Sequence, residues 1–145
     1  MKYRKEISAG GIVFKKEGSQ ILWLITQHSQ HKGWSFPKGL VADEDKNESM
    51  ETAALREVQE EGGIKAKITD NNPVKTTYKY KTGGFLVDKT VYYFLMQYLE
   101  GDPKDHDWEV SEAKFVPEEE AAQTLTFPTD KDAFGQILKR VDKTV

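Results

Sequence analysis

"LREVQEEGGI", residues 55–64, puts three glutamates, Glu57, Glu60 and Glu61, at the end of a helix-forming stretch. The C-terminal end of a helix dipole is already negative, so acids are disfavoured there. Glu57 and Glu61 also make a like-charge i,i+4 pair. Working outward, the helical pattern covers residues 48–61. Met50, Ala53, Ala54, Leu55 and Val58 form its apolar arc, and Ser49, Thr52, Arg56 and Gln59 its outer face. Gly62 and Gly63 supply a stop, because glycine adopts the left-handed conformation that ends helices. At about 100° per residue, the three glutamates share one arc that overlaps the apolar side. Carboxylates gathered beside a core need compensation. A hard divalent cation is the simplest, since magnesium takes oxygen ligands from carboxylates and phosphates together.

The rest of the chain surrounds this helix with strand signals. Residues 6–16 and 21–27 read as a hairpin around the turn "EGSQ". Residues 28–47, polar and punctuated by Gly33, Pro37 and Gly39, read as a long loop of the kind that usually carries function. After the helix come a short strand at 65–70, an alternating strand at 74–82, a turn in "GGFLVD" and a long aromatic strand at 89–99, expected to be central. A loop at 101–107, a strand at 112–116, a helix beginning at Pro117 and a closing amphipathic helix at 130–141 complete the chain. No repeat or linker interrupts it, so one α/β or α+β domain over residues 1–145 is expected.

The chain has 145 residues and a net charge near −3, with acids and bases interspersed. That balance gives no footprint for non-specific nucleic-acid binding, so no stable nucleic-acid partner is expected. Without cysteine there are no disulfides and no thiolate metal sites. The first residues carry no apolar leader, and "ILWLI" is far too short to span a bilayer. A soluble cytoplasmic protein without a membrane partner is expected, its oligomeric state open.

The stretch "GLVADEDKNESMETAALREVQEEGGI" resembles the Nudix box. Arg56, Glu57, Val58, Glu60, Glu61, Gly63 and Ile64 fill its second half without a gap, and Glu48 stands at the expected distance before Arg56. The box covers about a fifth of the chain, roughly residues 39–64, and the flanking "SAGGIVF" and "EVSEAKFVPEEEA" are similar too. One departure is a wider first spacing. Eight residues separate Gly39 from Glu48 where the family has five. Either Ala42 takes the glycine position, or "ADEDKN" holds a three-residue insertion; the second preserves both "PKG" and the helix.

The resemblance implies a mixed central β-sheet between helices, with the box as loop–helix–loop. It implies hydrolysis of a nucleoside diphosphate linked to another group, by water, with magnesium or manganese. Glu57, Glu60 and Glu61 would be metal ligands, Glu57 or Glu60 also orienting water, with the Gly39 carbonyl as a further contact. Arg56 would hold the glutamates by salt bridge. A further acid, ligand or base, is expected from the later loop: Glu109, with Glu112 as the alternative.

For the substrate, Lys38 in "WSFPKG" and Tyr80, sixteen residues after Ile64, are similar to marks of the diadenosine polyphosphate hydrolases. Lysine is a suitable point charge for a phosphate chain. Lys79 is a further phosphate candidate, and Trp34 and Phe127 are candidates to stack adenine, each otherwise a core residue. His28 and His31 lack a third nitrogen or sulfur ligand and read as polar residues at the cleft mouth. The leading expectation is cleavage of diadenosine tetraphosphate to ATP and AMP. An RNA 5′-end pyrophosphohydrolase or a nucleotide-sanitising enzyme is the alternative, ADP-ribose cleavage ranks lower, and a catalytically dead nucleotide-binding module would show eroded acids.

Overall fold

The computed structural model describes residues 2–42 and 45–141. Its strands are β1 (Lys2–Glu17), β2 (Gln20–His28), β3 (Trp34–Ser35), β4 (Lys38–Leu40), β5 (Ile64–Ile68), β6 (Val74–Thr82), β7 (Phe85–Gly101) and β8 (Val110–Pro117). The helices are α1 (Met50–Gly62), α2 (Glu118–Thr124) and α3 (Pro128–Leu138), with a 3₁₀ turn at Pro103–Asp105. All eight strands join one mixed sheet. β7 is its axis. It pairs in parallel with β1 from Lys2 opposite Phe85 to Phe14 opposite Gln97, and antiparallel with β6 along one half and β5 along the other.

β7 is central because both of its faces are apolar. Val91, Tyr93 and Leu95 pack with Ile12, Trp23, Phe36 and, from α3, Ala133, Phe134 and Ile137. Phe94 and Met96 pack on the other face with Ala9, Val13 and, from α1, Ala53, Ala54 and Val58. Side-chain alternation along a strand sends neighbours to opposite faces, so one strand feeds both cores. The sheet therefore lies between α1 on one side and α3 on the other.

Several expected boundaries shift. The first strand begins at Lys2, because its extra residues find ladder partners on β7. The turn after β6 is confined to Gly83 and Gly84, both at positive φ, and Phe85 already belongs to β7. The expected loop at 28–47 contains β3 and β4, which pair with β2 and β1. The helix starts at Met50, since the Ser49 hydroxyl accepts from the Thr52 N–H and caps it. Leu55 is exposed rather than part of the apolar arc, and buried Glu57 takes its place beside Ala53, Ala54 and Val58. Pro117 caps α2 from outside, and the last helix runs 128–138 rather than 130–141. Gly63, at φ 74°, ends α1 as expected. Of the "ADEDKN" insertion, residues 43 and 44 lie outside the described residues.

Candidate active site

The last turns of α1 meet β4, which hydrogen-bonds to β1 and thereby fixes Gly39 opposite Ala9. Gly39 is pressed against the Glu57 carboxylate so closely that a Cβ at residue 39 would overlap it. The wider spacing before Glu48 therefore does not displace Gly39 from the helix glutamates. Ala42 sits at φ 63° and its N–H donates to Glu48 Oε1.

Arg56 leaves the expected outer face and folds across the acids. Its Nε and Nη2 form a fork on the Glu48 carboxylate at 2.7 and 3.0 Å. Nη1 donates to Glu57 Oε1 at 3.0 Å and Glu60 Oε2 at 3.1 Å, and Nη2 also reaches the Leu40 carbonyl. The planar guanidinium is suited to this, because its donors point in fixed directions. Helical phase alone sends Arg56 outward; the length of its side chain and five acceptor atoms bring it back.

One guanidinium does not neutralise the whole group. Glu57 is 7% exposed, and burial first, then Glu60 and the Glu61 charge, push its carboxyl up to about 8. Burial lifts Glu61 to about 7, opposed by the Lys38 N–H that donates to Glu61 Oε1 at 3.2 Å. Among the described residues, no three acidic or histidine side chains converge at metal-ligand spacing; Arg56 lies between Glu57 and Glu60. The donor set is nevertheless all oxygen, crowded and short of positive charge, which is the chemistry a magnesium or manganese ion fits.

Lys38 borders this cluster on the other side. Its Nζ donates to Ser35 Oγ at 3.2 Å, and its charge is felt by Glu61, His31 and Lys89. Lys89 comes abreast of Glu6 on β1 and Tyr78 on β6. Burial lowers its ammonium pKa first, and the neighbouring Lys38 charge lowers it further; Glu6 Oε1 lies 3.6 Å away. Tyr80 donates from its hydroxyl to the same Glu6 oxygen at 2.7 Å. His31 stacks on His28 with ring centroids 4.0 Å apart and meets Phe127 edge-on.

Glu57, Glu60, Glu61, Arg56, Gly39 and Lys38 are thus gathered in one place. Glu109 sits on an exposed loop tied to both walls. The Asp107 N–H donates to the Glu60 carbonyl and the Ser29 N–H to the Glu109 carbonyl, and the Glu109 charge raises the Glu61 pKa. Glu112 lies on β8 opposite Gln27, with Lys114 3.6 Å away. Two candidates are not brought in. Lys79 is abreast of Asp88 and faces away from Tyr80, beside Tyr3 and Lys5. The Trp34 ring carries the Lys114 ammonium, 5.0 Å from its centroid. Lys89, Glu6 and Ser35 were missed by the sequence reading. A lone lysine opening an aromatic strand was the available signal for Lys89, but only the β1–β7 register sets it opposite Glu6.

The NUDIX domain family model matches residues 4–136. The chain is 33% identical over 144 residues, 95% of its length, to a Mycobacterium tuberculosis protein that carries the name mutator protein MutT4, and covers 56% of that protein. It is 32% identical over 120 residues, 79% of its length, to Nudix hydrolase 6 of Arabidopsis thaliana, covering 40% of it. It is 28% identical over 116 residues, 80% of its length, to an 8-oxo-(d)GTP phosphatase of Mycolicibacterium smegmatis, covering 33% of it. The chain thus spans from a third to just over half the length of these relatives. In fold it is similar to a C. elegans Ap4A hydrolase in a binary complex, with a TM-score of 0.71 at 23% identity over 93% of this chain and 96% of that one. It is equally similar to the NUDIX domain of Shewanella oneidensis NrtR complexed with ADP ribose, with a TM-score of 0.71 at 19% identity over 95% and 89% of the two chains. Among the described residues, no helix is long and apolar enough to cross a membrane.

Proposed function

This chain belongs to the NUDIX family, and on that premise we propose that it hydrolyses a pyrophosphate link in a dinucleoside polyphosphate, cutting diadenosine tetraphosphate to ATP and AMP. The observation that carries this reading is the pair of ammonium groups, Lys38 and Lys89, whose charges act on one another and on Glu61. Two partly buried cations whose charges act on one another repel, and a chain of several phosphates relieves that repulsion where one phosphate relieves less.

Glu57, Glu60 and Glu61, with the Gly39 carbonyl, would hold the divalent cation, and Glu109 is the further acid of the loop. When bound, that cation neutralises charge on non-bridging phosphate oxygens as it builds in the transition state. Arg56 keeps Glu57 and Glu60 aimed by occupying one oxygen of each. A Glu57 or Glu60 oxygen left free accepts a proton of the attacking water and so orients its lone pair. Lys38 binds the phosphate chain next to the carboxylates, Tyr80 lines the cleft further along through its bond to Glu6, and Phe127 with His31 gives an aromatic edge for a base.

A second reading is nucleotide sanitising, favoured by the names of the mycobacterial relatives. One chromatographic assay separates them. With magnesium, diadenosine tetraphosphate should yield ATP and AMP at a rate well above those for 8-oxo-dGTP, ADP-ribose or 5′-triphosphorylated RNA. Faster release from 8-oxo-dGTP would replace the first reading with the second. Turnover of RNA alone would overturn the use made of Lys38 and Tyr80. Nucleotide binding without turnover of any substrate would indicate a sensor.

The carboxylates also give a pH test. Glu57 and Glu61 stand near 8 and 7 in the fold, against an ordinary 4.5. A carboxyl whose folded value is raised contributes stability that is complete below its unfolded pKa and lost as pH rises through the folded one. Metal-free protein should therefore melt several degrees lower at pH 8 than at pH 5. Magnesium should raise the melting temperature more at pH 8, because deprotonated carboxylates are the ligands. An equal magnesium shift at both pH values in thermal melts would count against the site.

A further inference from the structure

Asp130 is a carboxylate, 4% exposed, in the first turn of α3, and the chemistry above makes no use of it. Its two oxygens are occupied by hydroxyl groups from different elements. Tyr93, fully buried on β7, donates to Oδ1 at 2.8 Å, and Ser35 on β3 donates to Oδ2 at 2.7 Å. A serine hydroxyl has one proton. With that proton committed to Asp130, Ser35 Oγ presents only lone pairs to the cleft, and Lys38 Nζ fills one of them at 3.2 Å. The buried negative charge thus reaches the Lys38 ammonium through a single bridging atom, while the Lys38 N–H holds Glu61. The helix dipole favours an anion at this end of α3.

Resting on the polyphosphate reading of Lys38, we propose that Asp130 is a positioning residue: through Ser35 it fixes the Lys38 ammonium beside the helix carboxylates and so sets how tightly the phosphate chain is held. Lysine is a flexible point charge that does not orient itself. Ser35 and Asp130 supply the orientation, and no direct contact between Asp130 and substrate is needed.

The test is a double-mutant cycle on KM and kcat for diadenosine tetraphosphate with magnesium, using Asp130→Asn, Ser35→Ala and Lys38→Ala. Asp130→Asn should raise KM roughly tenfold, the scale of losing an outer partner that orients a binding group, with kcat within about threefold. Ser35→Ala should do the same. In the Lys38→Ala background, neither change should raise KM further, since the oriented group is gone. Tyr93→Phe removes the other donor to Asp130 and the hydroxyl 3.4 Å from Ser35 Oγ; it should lower stability and raise KM less than Asp130→Asn does. Fully additive KM effects of Asp130→Asn and Lys38→Ala would overturn the proposal. So would unchanged KM in both folded Asp130→Asn and Ser35→Ala. Should diadenosine tetraphosphate not be turned over, the functional reading fails by itself. The same cycle read by calorimetric titration with inorganic tripolyphosphate then decides the role of Asp130, with weakened binding in Asp130→Asn supporting it and unchanged binding refuting it.

Discussion

Glu57→Gln is expected to lower kcat by roughly 10³-fold, the scale of losing one charged stabiliser of a transition state, and at the same time to make the metal-free protein more stable above neutral pH. The two effects have one cause. Glu57 is buried against Gly39, and burial together with Glu60 and Glu61 makes its ionised form costly. Glutamine keeps the shape, and its amide oxygen can still accept from Arg56 Nη1, but the charge that repels Glu61 and attracts a cation is removed. Steady-state kinetics and thermal melts at pH 8 on the same preparation provide the check. A variant that is less stable as well as inactive would show that Glu57 is ionised and fully compensated in the resting protein, contrary to the raised pKa. A variant with near-normal turnover would remove Glu57 from the proposed metal ligands.

Arg56→Ala should be the most damaging change to stability in this region. It leaves the Glu48 carboxylate, 6% exposed at the side chain, without its two-pronged partner and removes the donor shared by Glu57 and Glu60. Deleting one partner of this partly buried ion pair leaves the other charge uncompensated and costs about 2–3 kcal/mol. For a domain of this size that is a fall of roughly 4–12 °C in melting temperature. Arg56→Lys should recover only part of the loss, since an ammonium cannot repeat the fork on Glu48 while reaching the other two acids. A loss under about 2 °C for the alanine variant would mean that solvent or the other donors satisfy the glutamates, and that Arg56 is an ordinary surface partner.

Much of this arrangement can be read from residue types in order. The three acids of α1 sit at fixed phases on one helix, and helical phase is local, so their shared arc follows from spacing alone. The parallel arrangement of β1 and β7 is not local. It rests on strands whose sequences would also suit other partners, and with it went Lys89 and Glu6, which face each other only in that register. Lys79 and Tyr80 show the same limit in reverse. As neighbours on a strand they cannot serve one face, and sequence alone does not say which of them faces the cleft. Leu55 and Arg56 were misplaced because an apolar helix face was assumed. Here the buried stripe is shared with a carboxylate, and a long side chain turned back against its phase. Ser35 and Asp130 carry no local signal at all, being 95 residues apart in the chain and joined by one hydrogen bond.

The β1–β7 ladder pairs Lys2 with Phe85 and holds that offset through Phe14 and Gln97. Pairing across such a separation carries a large loop-closure entropy before any contact repays it, and topologies of this kind fold slowly. Helix α1, by contrast, has its cap, its stop and all three glutamates within a short segment. The acids can therefore be assembled early, while the wall carrying Lys89 arrives only when the two longest strands have found each other. During synthesis, a chain that has not yet exposed β7 carries the carboxylates of the centre and Lys38 but lacks the wall with Lys89, so competence to handle substrate should appear late and all at once.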